Sequence, residues 1–133
     1  KNWTKVRSFY LHNTLGHLDA ALEVANSPDG GRYPVGTIIQ LIPNEAMVKR
    51  GPGYSADTND WEFFSLTTRG GETNIADRGS TDVVNQFGGN CLECHRKAEP
   101  KWDFICETGH GCDPLGINTA TIEAFQNADP RCP

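Results

Sequence analysis

"EAMVKRGPGYSADTNDWEFFSLTTR", Glu45 to Arg69, holds two strand-like runs separated by a loop rich in turn residues. "WEFFSLTTR" is aromatic and β-branched and is closed by Gly70 and Gly71, so it reads as a strand ended by a turn. "GPGYSADTND" reads as the loop before it, and "EAMVKR" as the preceding strand. Upstream, "TIIQLI" (Thr37 to Ile42) is a short β-branched run that reads as a buried strand. A fourth strand is expected between Asn74 and Val84. Successive strands with short connections make an antiparallel meander.

Outward from the meander the pattern changes period. Between Ser8 and Asn26, Leu11, Leu15, Leu18 and Leu22 recur at helical spacing, and "NSPDGGRYP" stops the run. After the meander, a short helix is expected from Cys91 to a stop near Pro100, where backbone bonding cannot continue. Asn118 is placed to cap a last helix through Phe125. The expected class is α+β, with about four antiparallel strands packed against helices. The chain of 133 residues suits one domain. It divides into a helical N-terminal region (1–32), a core (33–104) and a loop-rich tail (105–133).

The net charge of −5 argues against a nucleic-acid partner, which would call for a basic footprint. An acidic surface is solubilising and could also meet a basic redox protein. No apolar run approaches the roughly 20 residues of a membrane span. No signal peptide is visible either, and Lys1 reads as the start of a processed chain.

"CLECH", Cys91 to His95, is the C-x-x-C-H pattern by which a c-type haem is attached. Cys91 and Cys94 would supply the thioethers and His95 the proximal bond to iron. The competing readings are a thioredoxin-like dithiol and half of a zinc site completed by Cys106, His110 and Cys112. His95 directly follows the second cysteine, as haem ligation requires. Haem c is attached outside the cytoplasm, so the expected location is periplasmic or extracellular. Three of the five cysteines remain, and spare cysteines pair in oxidising compartments. Gly109 and Gly111 permit a tight loop between Cys106 and Cys112, the favoured pairing. Cys132 could instead take either partner or bridge two subunits.

The order of these features resembles the cytochrome P-460 and cytochrome c′-beta family. The resemblance is carried by "YPVGTIIQLI" (Tyr33 to Ile42), "EAMVKRGPGYSADTNDW" (Glu45 to Trp61), "CLECHRKA" (Cys91 to Ala98) and "WDF" (Trp102 to Phe104), about half of the chain. It implies an antiparallel sheet packed on helices, a homodimer, and a haem with His95 below and the sheet above. Its members differ on that upper face: some carry a lysine bonded to the porphyrin, some an aromatic-capped pocket for nitric oxide, some a methionine on iron. Lys49 matches the cross-linking lysine.

Alternation along a strand sets Glu45, Met47 and Lys49 on one face and Ala46, Val48 and Arg50 on the other. Positions two apart stand roughly 7 Å from each other, so Met47 and Lys49 can both face one porphyrin while one of them sits over iron. A methionine sulfur would close the sixth site and favour electron transfer. A lysine at the ring edge would leave that site open, with Glu45 as a candidate proton relay. The plain alternatives are core filler for Met47, a solvated charge or propionate partner for Lys49, and a surface charge for Glu45. Trp61, Phe63 and Phe64 are expected in the core, one of them a possible cap. Arg50, Arg69 and Arg78 are candidate propionate partners. His12, His17 and His110 are weaker candidates for a distal ligand. Two functions follow: a haem protein acting on or binding hydroxylamine or nitric oxide, or a six-coordinate electron carrier, possible also within a larger redox assembly.

Overall fold

The computed structural model describes residues 3–41, 44–85, 88–114 and 118–129. Ile42, expected to end a strand, and Cys132 lie outside the described residues. The class is α+β as expected, but the sheet has six strands rather than four, in the order β1-β2-β3-β4-β5-β6 and antiparallel throughout. The strands are β1 Thr4–Val6, β2 Phe9–Asn13, β3 Thr37–Leu41, β4 Glu45–Lys49, β5 Trp61–Arg69 and β6 Glu72–Gly79. Three helices accompany them: α1 Leu18–Asn26, α2 Cys91–His95 and α3 Thr119–Ala128.

The two additional strands occupy the region expected to be helical. "FYLHN" alternates, with Phe9, Leu11 and Asn13 buried and Tyr10 and His12 half-buried, so its true period is two. Leu11 therefore belongs to β2, while Leu18 and Leu22 belong to α1, and the helical spacing between them is coincidental. Leu15 sits in the turn between the two elements and is exposed. The Asn13 side chain holds that turn by accepting from the Leu15 and His17 amides at 2.8 and 3.1 Å. β6 begins two residues before the expected strand and ends five residues short of it. Gly70 and Gly71, at φ +60° and +81°, supply the paired left-handed residues that a two-residue hairpin needs.

In-register neighbours give the sheet two faces. Leu11, Ile39, Met47 and Phe63 form one row across β2 to β5, and His12, Ile38, Val48 and Glu62 form a row on the reverse. The first row faces the core, where Ala21 and Ala25 of α1, Leu92 of α2, Tyr33 and Ile105 pack with it. Burying one of these large apolar side chains stabilises the fold by about 1.5–3 kcal/mol. The loop after α1 closes the layer: Gly30 leaves no room for a Cβ against the Lys101 carbonyl, and Gly31 N–H donates to that oxygen at 2.8 Å. No helix among the described residues is long and apolar enough to cross a membrane.

Candidate haem-attachment site

Asn90 starts α2. Its side chain accepts from the Glu93 amide at 3.0 Å and donates to Thr81 O at 2.8 Å, so the cap also ties the helix to the chain after β6. Cys91, Cys94 and His95 then fall at i, i+3 and i+4, one stripe of a single turn. Leu92 points into the core and anchors the helix on the sheet.

Both thiols are free. Burial, with Glu45 next in effect, pushes Cys91 up to about 11, and burial also raises Cys94. A thioredoxin-like pair needs the opposite, a thiol lowered towards neutrality. The zinc reading loses its ligands too, because Cys106 and Cys112 are joined in a disulfide, with Cα atoms 5.6 Å apart. No group of three potential metal-ligating side chains occurs among the described residues.

His95 is held from one side and left open on the other. Its Nδ1 lies 2.6 Å from the Phe104 carbonyl, which can only accept, so Nδ1 carries the proton. Nε2 has no hydrogen-bond partner among the described residues. Burial pushes the imidazole below its ordinary value, more than the Phe104 bond raises it, so the ring is neutral at neutral pH and suited to bind a metal. The ring packs on Phe63, with centroids 5.2 Å apart, and Phe63 is the in-register partner of Met47. This donor set fits a c-type haem: two thiols and an available imidazole nitrogen on one helical turn, against an apolar sheet face.

The β4 candidates divide as alternation predicts. Met47 and Lys49 are buried on the face shared with Phe63, and Glu45 is partly buried at the end of that face. Burial raises Glu45, and a bond from Asn85 partly opposes this. Its charge raises both thiols, a smaller effect than their burial.

Lys49 is not a solvated charge. It is 1% exposed, and its Nζ donates to Asn59 O at 2.8 Å and to Asp103 at 2.8 and 2.9 Å while lying 4.5 Å from the Trp61 ring. Desolvation pushes its ammonium below the ordinary lysine value, against the pull of Asp103. Asp103 also accepts from the Tyr33 amide at 2.9 Å and from the Asn59 side chain, and its carbonyl accepts from Trp61 Nε1 at 2.8 Å. This centre was not foreseen. "WDF" carries the resemblance, yet an aspartate between aromatics gives no sign of its buried partner.

The other candidates lie elsewhere. Arg50 and Arg78 both bind Glu62 on the reverse face, with ion-pair distances of 2.7 Å each. They are thus turned from the face that holds Met47, and Phe64 shares their side while Trp61 and Phe63 share the core side. His12 is on that reverse face too, stacked on Trp3. His17 precedes α1 at its cap position. His110 stacks on Trp102 with centroids 4.0 Å apart, and its Nδ1 lies 2.6 Å from Ile105 O. A cleft of about 510 Å³ is lined by Arg7, Val24, Tyr33, Trp102, Glu107 and His110 among others, but by none of Cys91, Cys94 or His95. No family model, curated protein or solved structure matches this chain.

Proposed function

We propose that this chain is a mono-haem c-type cytochrome of the cytochrome P-460 type, exported and acting in redox chemistry or in binding small nitrogen ligands. The observation that carries the reading is the single turn of α2, where Cys91 and Cys94 share a stripe with a neutral His95 whose Nδ1 is already bonded and whose Nε2 has no hydrogen-bond partner among the described residues. Cys91 and Cys94 would hold the porphyrin through thioethers and His95 would hold the iron. A bound haem supplies one-electron chemistry and an iron site for small ligands. Glu45, raised by burial and electrostatically coupled to Cys91, would be a group suited to hold a proton near a bound hydroxylamine or nitric oxide. The Cys106–Cys112 disulfide supports an oxidising compartment.

Lys49 remains the candidate for a porphyrin cross-link, and its Nζ would have to leave Asp103 to form one. A second reading rests on Met47, buried in register with the phenylalanine that packs on His95. With Met47 on iron the protein would be a six-coordinate electron carrier.

Expression in a host with cytochrome c maturation, followed by denaturing electrophoresis with haem staining, tests the core of the reading. Covalent haem in the wild type, lost in the Cys91→Ser/Cys94→Ser variant, is the expected result. An apo-protein from a maturation-competent host would end it. A high-spin spectrum that shifts with nitric oxide favours the open site. Sharp low-spin bands that ignore it, and that turn high-spin in Met47→Ala, favour the electron carrier.

A further inference from the structure

Among the described residues, four of the five non-glycine residues with positive φ lie in two facing pairs: Asn59–Asp60 at φ +52° and +70°, and Asp103–Phe104 at +50° and +65°. Such conformations are costly for residues with a Cβ, most of all for a bulky one such as Phe104, and persist where surrounding structure fixes them. Here the fixing is visible. Lys49 bridges the two pairs, donating to Asn59 O and to the Asp103 carboxylate, while Asn59, the Tyr33 amide and Trp61 Nε1 complete the set. The next carbonyl along from Asp103 is that of Phe104, which receives the His95 Nδ1 proton at 2.6 Å.

We infer that the buried Lys49–Asp103 pair is a positioning device for His95, fixing the Asp103–Phe104 turn so that the Phe104 carbonyl orients the imidazole and strengthens it as an iron ligand. The inference rests on the haem reading above and assigns Lys49 a role distinct from a cross-link. A bond from Nδ1–H to a fixed acceptor adds electron density to the ligating nitrogen, and partners of this kind change metal affinity about 10–100-fold when removed. Stability alone does not explain the pair, since an apolar pair of similar volume often serves a core as well or better. What an apolar pair would not supply is the set of directional bonds that holds a backbone carbonyl in place.

The test separates the two roles. In holoprotein, Lys49→Met and Asp103→Asn each leave a buried group unpaired, whereas the double variant removes both charges at nearly constant volume. The double variant should recover much of the folding stability lost by either single variant. Its haem should nonetheless show a lower iron–histidine stretching frequency in the resonance Raman spectrum and a higher reduction potential. In the ferrous nitrosyl complex, the equilibrium should move at least about tenfold towards loss of His95 from iron. Wild-type values of all three in a haem-loaded double variant would overturn the inference and leave the functional reading standing. Wild type without covalent haem would overturn both. Should the double variant not accumulate, Trp61→Phe removes the bond to the Asp103 carbonyl, together with part of the ring that Lys49 lies over, and carries the same test, with shifts in the same direction expected and wild-type values again overturning it.

Discussion

Lys49 and Arg50 are neighbours in the chain, as are Trp61 and Glu62, yet the sheet sends one member of each couple to the core and the other to the reverse face. The result is two charge clusters a strand's thickness apart with different physics. On the core side, Lys49 and Asp103 are 1% and 2% exposed and are held by short, directional hydrogen bonds. On the reverse side, Glu62 is 5% exposed but its partners Arg50 and Arg78 are 38% and 51% exposed. The first cluster gives up hydration on both charges and is committed to one geometry. The second keeps its cations in water, where salt screens them and small movements cost little. A buried pair fixes backbone; a half-wet one decorates it.

The comparison breaks most sharply on the dry side. Asp103→Ala strands the Lys49 ammonium and should cost about 3–5 kcal/mol in denaturant unfolding, with little dependence on salt. An effect below 1 kcal/mol would mean that the two clusters are alike. The disulfide provides an intermediate case, because its Cys106 Sγ lies 3.8 Å from the Cys94 carbonyl, two residues after Phe104. Cys106→Ser/Cys112→Ser should lose about 2 kcal/mol by the entropy of so short a loop. Thermal unfolding with and without reductant gives an independent reading of the same term.

Smaller effects belong to the wet side. Glu62→Gln should cost about 1 kcal/mol near neutral pH, less as salt is added. Burial by itself would raise the Glu62 carboxyl, but the Arg78 and Arg50 bonds outweigh it and hold it below the usual range. A group lowered in the folded state stabilises above its unfolded value and loses that contribution as pH falls through the folded one. Wild type should therefore lose stability more steeply than Glu62→Gln below about pH 4, the ordinary carboxylate range. Parallel acid curves would remove Glu62 from the account. Arg78→Ala should give the smallest change, measurable at low ionic strength and gone at high salt, because Arg50 still pairs with Glu62.

Much of the meander was legible. "WEFFSLTTR" and "EAMVKR" form strands within one residue of their expected ends, since β-branched and aromatic residues flanked by glycines carry a local signal. Asn118 caps α3 as expected, its side chain accepting from the Thr121 amide at 2.8 Å. The N-terminal region was misread because a strand and a helix in succession left leucines at spacings that mimic one helix, and the intervening turn is held by a side chain, Asn13, rather than by a sequence motif. β6 is exposed along nearly all its length, so pairing with β5 defines it and no burial pattern announces it.

For the candidate site the division falls in the same place. The sequence by itself determined what one helical turn can carry: two thiols and an imidazole at i, i+3 and i+4, and on β4 which residues share a face. Those are consequences of local periodicity, 3.6 residues in a helix and two in a strand. It took tertiary structure to bring Asp103 to Lys49 across 54 positions, Phe104 to His95, and Arg78 to Glu62. These partners are chosen by where separate segments meet in a dry interior, where charges must be paired and carbonyls used, and no spacing along the chain encodes that meeting.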